Sequence, residues 1–306
     1  MKKIFTLLSA LLFIASLPVA VKAQNARTPI QQLDPLISQY YENRFLGNPS
    51  LAGADAGLNI DLGYRKQWKD IPDAPVTFAL TADYQLAKKF GVGLTVFNDQ
   101  AGPLKHTRAA LSYAYHMPLD ENNTEFLHVG LTTAIDNKRV ETKKTVVPPV
   151  NPTPDIQDSR DTQFETDLGI AYTNEKLTIQ AALPNVLGTF KNTDKIEPRN
   201  SSTFMVAGSY KFGTKSFQIS SIEPMVAFRG IKGYKSILDV GTKVSLAKNF
   251  VNLFALYHTN NAMTAGVGFQ FKNSIQVQAS YTTQTAGVKN NIDGNFGLGI
   301  KVRLFR

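Results

Sequence analysis

The sequence predicts an all-β chain, a transmembrane antiparallel β-barrel of about 14 strands with an N-terminal lead able to plug the lumen. Three observations predict it. Apolar and polar residues alternate in segment after segment: Leu238, Val240, Thr242, Val244 and Leu246 interleave with Asp239, Gly241, Lys243 and Ser245. Phe296, Leu298, Ile300, Val302 and Leu304 do the same with Gly297, Gly299, Lys301 and Arg303. Period two marks a strand with one apolar and one polar face. The chain also opens on an export leader, and its connections alternate between short and long.

Residues 1–23 read as a signal peptide. Lys2 and Lys3 make the basic start, Ile4 to Leu17 the apolar stretch, and Val21-Lys22-Ala23 the small-residue cleavage site before Gln24. That apolar stretch is short for a membrane span, and no apolar run of about 18 residues follows it. Residues 24–56 form the lead, a periplasmic or plug segment rather than a strand. Asp34-Pro35 and Asn48-Pro49 start turns, because an Asx side chain bonds the following backbone and Pro fixes φ. Gly53 and Gly57 permit sharp bends.

Residues 57–306 are the barrel. Strands are expected at 57–67, 76–87, 90–97, 107–117, 125–136, 163–173 and 176–183. The second half continues at 202–212, 216–229, 235–247, 250–258, 263–271, 274–283 and 292–305. The ninth strand switches its apolar parity between Ile219 and Ile222 and carries Pro224, which predicts a bulge or kink near Ser221. Connections after even strands are tight, as at Lys88-Lys89, Asn174-Glu175, Lys248-Asn249 and Lys272-Asn273. Those after odd strands are expected to be longer, as over 98–106, 138–162 and 184–201, with only the one at Thr259 short. Tight periplasmic turns and larger surface loops are the habit of a membrane barrel. A soluble β-sandwich is the competing reading. Against it stand the aromatic apolar faces (Tyr64, Phe78, Tyr84, Tyr113) and the charge on the opposite faces, such as Asp61, Arg65, Asp83 and Asp239. Those charged positions are expected to pair in a wet or plugged lumen. Arg65 and Gln67 should point inward, with Trp68 at the interface or capping the loop.

Composition excludes several chemistries. The 306 residues contain no Cys, so there is no disulfide, thiol nucleophile or Cys-built metal site. His106, His116, His128 and His258 are not spaced as ligands of one metal, and no hydrolase, protease, P-loop or dinucleotide motif is present. The expectation is therefore a non-enzyme with no cofactor. A Ser-His-Asp site assembled across strands is the one catalytic arrangement that spacing leaves open. The formal net charge of +9 counts Lys2, Lys3 and Lys22 of the leader, and the remaining basic residues are scattered along an exported chain, which argues for lipid headgroups or an acidic partner over nucleic acid. In the loop 138–162, Lys143 and Lys144 precede a run containing Pro148, Pro149, Pro152 and Pro154. An extended Pro-rich loop of this kind is the candidate grip on an exported partner, and its basic residues are candidate contacts for lipopolysaccharide.

The stretch before and around the first strands carries a resemblance. Gln32-Leu33-Asp34-Pro35 leads to Ser38-Gln39-Tyr40, then come Asn48-Pro49-Ser50-Leu51-Ala52-Gly53 and Tyr64-Arg65-Lys66-Gln67-Trp68, and finally Asn98-Asp99-Gln100-Ala101-Gly102. This order resembles the PorP/SprF family of outer-membrane proteins of the type IX secretion system. Its pattern runs Q-D-P-x-x-S-Q, N-P-A-x-A-G, Y-R-x-Q-W and N-D-x-x-G. Leu33 interrupts the first piece, Ser50 replaces Ala in the second, and the chain ends on Arg306 rather than on an aromatic. The resemblance implies an outer-membrane barrel of the secretion and gliding machinery. Such a barrel binds, helps export or anchors a secreted surface protein or adhesin carrying a C-terminal secretion domain, and contacts periplasmic secretion-system lipoproteins. An outer-membrane channel or transporter for small or apolar solutes is the alternative.

Overall fold

The computed structural model describes residues 41, 43–67, 74–141, 159–187, 203–214, 218–231, 236–272, 274–284 and 294–305, all within the compact unit Gln31–Arg306. The strands are β1 (Leu58–Gln67), β2 (Val76–Ala87), β3 (Phe90–Ala101), β4 (Leu104–Pro118), β5 (Phe126–Val140), β6 (Ser159–Thr173) and β7 (Leu177–Leu183). They continue with β8 (Thr203–Tyr210, resumed at Phe212–Gly213), β9 (Ile219–Ile231), β10 (Ile237–Leu246), β11 (Val251–His258), β12 (Ala262–Phe271), β13 (Ile275–Gln284) and β14 (Asn295–Leu304). Each strand pairs antiparallel with its neighbour in sequence. The ring closes where β14 pairs with β1, from Leu58 opposite Leu304 to Gln67 opposite Asn295. The result is a closed antiparallel barrel of 14 strands. No described helix is long and apolar enough to cross a membrane.

Alternation decides what each face does. On β1, Asn59, Asp61, Arg65 and Gln67 are buried toward the lumen, while Tyr64 and Lys66 face out. Outside, Tyr64, Phe78, Tyr84, Tyr113, Leu131, Phe228, Phe269 and Leu298 remain exposed as a lipid-facing surface. Inside, the charges pair across strands. Arg108 holds Glu165 and Asp167, Arg229 holds Asp239, and Lys301 lies 3.6 Å from Asp61.

The irregularity expected near Ser221 is present as a register shift between Ile219 and Ser221 on β9. A second break has a separate cause. Met225 opposite Ser209 and Ile222 opposite Phe212 belong to one register, so the rungs missing between the two pieces of β8 lie opposite Pro224, which has no N–H to give.

One stretch of wall departs from the sequence expectation. The connection read as 98–106 shrinks to Gly102-Pro103, because β3 runs on to Ala101 and β4 begins at Leu104. Gly102 takes φ +57 there, so the tight turn explains the glycine. The loop read as 138–162 is also shorter, since β5 reaches Val140 and β6 starts at Ser159. Alternation fades in these extensions because both faces meet water beyond the apolar band, which removes the signal that marked the strands. Only Leu168–Thr173 of β6 pair with β7, so Ser159–Asp167 border no further described strand on that side.

The buried pair on β9 and β10 is the clearest test of the lumen chemistry. Arg229 donates to Asp239 from Nε at 2.8 Å and from Nη2 at 3.1 Å, and Asp239 is fully buried. Removing one partner of such a pair strands the other. Arg229→Met is expected to cost about 3 kcal/mol in urea-dependent folding into lipid, and the paired change Arg229→Met with Asp239→Leu to recover part of it.

Candidate functional site

A ring this wide leaves a lumen that side chains alone do not fill. The described part of the lead crosses it as a bar. Helix α1 (Arg44–Gly47) is capped by Asn43, whose Oδ1 accepts from the Leu46 amide, and a 3-10 turn follows at Pro49–Leu51, capped by Asn48. Asn48 is completely buried and fully engaged. Its Oδ1 accepts from the Ser50 amide at 3.0 Å and the Ser50 hydroxyl at 2.8 Å. Its Nδ2 donates to Gln180 Oε1 and to the carbonyls of Ile170 and Ala181 on β6 and β7. The Asn-Pro pair is therefore a turn starter whose starter side chain also pins the bar to the wall.

The wall is recessed to receive it. A β-carbon on Gly91 would overlap the Ala52 carbonyl, one on Gly130 the Ser50 backbone, one on Gly169 the Asn48 side chain, and one on Gly93 the Phe45 ring. Four strand glycines on β3, β5 and β6 thus form a notch shaped to residues 45–52. Gly53, at φ +66 and packed against the β2 and β3 backbone, turns the chain out of the notch where no L side chain would sit without strain. Its amide donates to Asp83 Oδ2, which also takes Asn59 Nδ2.

A histidine pair completes the latch. His116 Nε2 lies 3.1 Å from the Ala52 carbonyl, His116 Nδ1 2.7 Å from His128 Nδ1, and His128 Nε2 2.7 Å from the Thr173 hydroxyl. The carbonyl accepts only, so His116 donates from Nε2 and must accept at Nδ1. His128 then donates from Nδ1 and accepts from Thr173 at Nε2. The other end of the bar rests on an apolar lumen patch, where Tyr41 joins Met205, Met225, Phe254 and Leu256. Arg44 bonds Glu223 at 2.7 Å, and Lys243 holds the same carboxylate at 3.1 Å.

Beneath the bar, on the side of the short turns and the chain ends of β1 and β14, lies a cavity of about 810 Å³. Arg44, Phe45 and Leu51 of the bar form its roof, and Ser245, Asn252, Gln270 and Gln276 line its wall. Lys88, Lys176 and Lys211 stand at its mouth.

A cross-strand chain of the type left open by the sequence does occur. His258 Nδ1 is 2.6 Å from Asp239 Oδ1, and His258 Nε2 is 2.9 Å from the Thr264 hydroxyl. Asp239 is shared with Arg229, Thr264 bonds onward to Thr282 at 2.8 Å, and Thr264 is buried. Every member is thus committed to a neighbour, as in a wall staple. Among the described residues no group of three acidic or histidine side chains is placed to hold a metal.

The structure brings some of the sequence-selected residues together and separates others. Asn48, Pro49 and Gly53 lie in the bar, while Arg65 and Gln67 are buried in the lumen wall. Asp99 is buried and accepts from Thr77 at 2.7 Å, whereas Asn98 is exposed and bonds Thr107. Asp34, Pro35, Ser38, Gln39 and Trp68 lie outside the described residues, as do Lys143, Lys144, Pro148, Pro149, Pro152 and Pro154. The notch glycines, Tyr41 and the His116–His128 pair were not singled out as a site. Their only sequence signal was Gly and His at lumen-facing parity.

The profile of the family described as "Type IX secretion system membrane protein PorP/SprF" matches residues 30–302. No curated protein matches the chain. Among solved structures, the CymD monoaromatic hydrocarbon channel aligns at TM-score 0.53 and 9% identity, over 89% of this chain and 94% of that one. The P. putida toluene transporter TodX aligns at 0.52 and 10%, over 87% and 95%. The Acinetobacter baumannii outer membrane protein Omp33 aligns at 0.51 and 8%, over 82% and 100%. At such identities the likeness is one of fold, that of outer-membrane barrels.

Two outcomes follow from the latch. Asn48→Ala should weaken the bar's seat by about 2 kcal/mol while β-content by circular dichroism stays unchanged. In a Ser50→Cys background the thiol should resist maleimide, because Ser50 is fully buried. Adding Gly130→Val should expose it by filling the notch.

Proposed function

The chain belongs to the PorP/SprF family of type IX secretion system membrane proteins, and from that premise we propose that it is a docking and anchoring barrel rather than a conduit. In this reading residues 1–23 are removed on export and the mature chain sits in the outer membrane. It holds an exported surface protein there and meets the periplasmic lipoproteins of the secretion machinery. The observation that carries the reading is the bar of residues 43–57, locked across the lumen by buried hydrogen bonds that Asn48 and Gly53 donate and the Ala52 carbonyl accepts. A solute path would need these bonds broken together. Apolar solutes are further disfavoured by a lumen lined with Asn59, Asp61, Arg65, Gln67 and Gln278.

In this reading the grip lies at the long-loop end. Residues Ser159–Asp167 of β6 pair with no further described strand on that side, where Asn185 meets Glu165 and Asp167, and an extended segment of an exported partner can add to such an edge through main-chain hydrogen bonds. The reading includes no catalysis. The Asp239–His258–Thr264 chain is spent on the wall, and Thr264 has no free path to substrate.

Affinity purification of the full chain from its native outer membrane, followed by mass spectrometry, tests the anchor. Recovery of a stoichiometric exported protein or periplasmic lipoprotein is expected, and a clean barrel without partners would contradict it. Planar bilayers should record no steady conductance from the wild type. Hydrolysis of p-nitrophenyl butyrate should be no faster than with the His258→Ala variant.

A further inference from the structure

We propose that the cavity at the short-turn mouth is a binding site for an acidic, extended peptide segment of a periplasmic protein. This deepens the docking reading and rests on it, because a body that docks rather than conducts needs a receptor surface on its periplasmic side. The short turns and both barrel termini share this end, which is the periplasmic end of such barrels.

Charge selects the ligand class. The cavity's described lining carries Arg44, Lys88, Lys176, Lys211, Lys243, Lys301 and Arg303 against Asp55, Asp83, Glu175 and Glu223, seven cations to four carboxylates. The buried acids are already committed. Glu223 is gripped by Arg44 and Lys243, and Asp83 accepts from Gly53 and Asn59. Lys88, Lys176 and Lys211 are exposed and form no ion pair among the described residues, so the mouth presents three lysines outside any ion pair, with Glu175 beside them. An anion entering there gains attraction without first breaking a pair.

The wall selects a peptide over a simple ion. Behind the lysines stand neutral amides, among them Asn249 and Gln276, whose side chains carry both a donor and an acceptor, the pairing that a peptide backbone needs, while Asn252 already takes the Ser245 hydroxyl on its Oδ1. Arg44, Phe45 and Leu51 of the bar form the inner end of the cavity, against which an inserted segment would rest. Its volume of about 810 Å³ lies in the range of sites that enclose a ligand.

The rim contains its own control. Lys89, Lys248 and Lys272 are exposed on the same short turns but do not line the cavity. They are placed to meet solvent or phospholipid headgroups. If the rim were only a membrane anchor, both sets would behave alike.

The test uses the full chain in nanodiscs and a fluorescein-labelled Glu/Asp-rich dodecapeptide, followed by anisotropy at low and physiological salt. Lys88→Glu, Lys176→Glu and Lys211→Glu together should weaken binding by at least about tenfold. The matched set Lys89→Glu, Lys248→Glu and Lys272→Glu should change it by no more than about twofold. All six lie on exposed rim positions, and unchanged heat-modifiability on gels confirms folding. No binding to the wild type, or equal weakening by both sets, overturns the site. So does full displacement of the peptide by inorganic phosphate at equal charge concentration, which would make the occupant a small anion, and so does displacement by phosphatidylglycerol vesicles, which would make it lipid. Native-membrane capture of an exported protein reads the anchor separately, because it does not depend on peptide affinity at the mouth.

Discussion

The constraint on which everything else depends is that backbone groups facing lipid have no water to bond. The chain meets it by closing its sheet, with Leu58 to Gln67 of β1 laddered onto β14. Closure with 14 strands then creates a second difficulty, a lumen too wide for its own side chains. The bar answers it, and the wall is built around that answer. Small residues at Gly91, Gly93, Gly130 and Gly169 remove bulk where the bar passes. Asn48, Asp83 and His116 supply directional bonds where it must be held. Paired charges elsewhere keep the wet wall from repelling itself.

Polar groups inside a barrel cost little while water reaches them, and more once a plug excludes it. The contact region is accordingly well satisfied. Asn48 uses both its oxygen and its nitrogen, and the chain from Thr173 through His128 and His116 to the Ala52 carbonyl has a donor for every acceptor. Asn59 Oδ1 where the bar leaves the wall, and side-chain atoms of Gln67, Gln278 and Asn295 farther off, have no partner among the described residues, as expected of a wall solvated by lumen water. The same division separates the tight upper contact from the open, cationic mouth beneath it.

Much of this fold was legible in the sequence because lipid and lumen impose opposite demands on successive residues. β2 and β14 are marked by alternation alone, and the kink near Ser221 by a change of parity. The legibility ends where that opposition ends. Asn98 to Ala101 and Leu104 to His106 stand at the rim, where polar residues no longer alternate cleanly with apolar ones, and so were read as loop although they are strand. The site was less readable for another reason. Gly130 and Asn48 are far apart in sequence, and a glycine within a strand gives no indication of which distant segment it admits. Asn48-Pro49 was visible as a turn, but its second role, bonding β6 and β7 through Nδ2, depends on long-range packing that no local pattern encodes.

The central claim is that the bar is part of the folded wall, and hydrogen exchange on the full chain in nanodiscs tests it most directly. The amides of Ser50, Leu51, Ala52 and Gly53 donate to Asn48 Oδ1, the Asn48 carbonyl, the Pro49 carbonyl and Asp83 Oδ2 respectively. The Gly53 bond reaches the wall and the other three close a turn buried against the notch, so all four should exchange as slowly as the amides of β4 and β5. Exchange of these four at free-peptide rates, with the strands still protected, would contradict the account, because it would show an empty lumen with a loose lead.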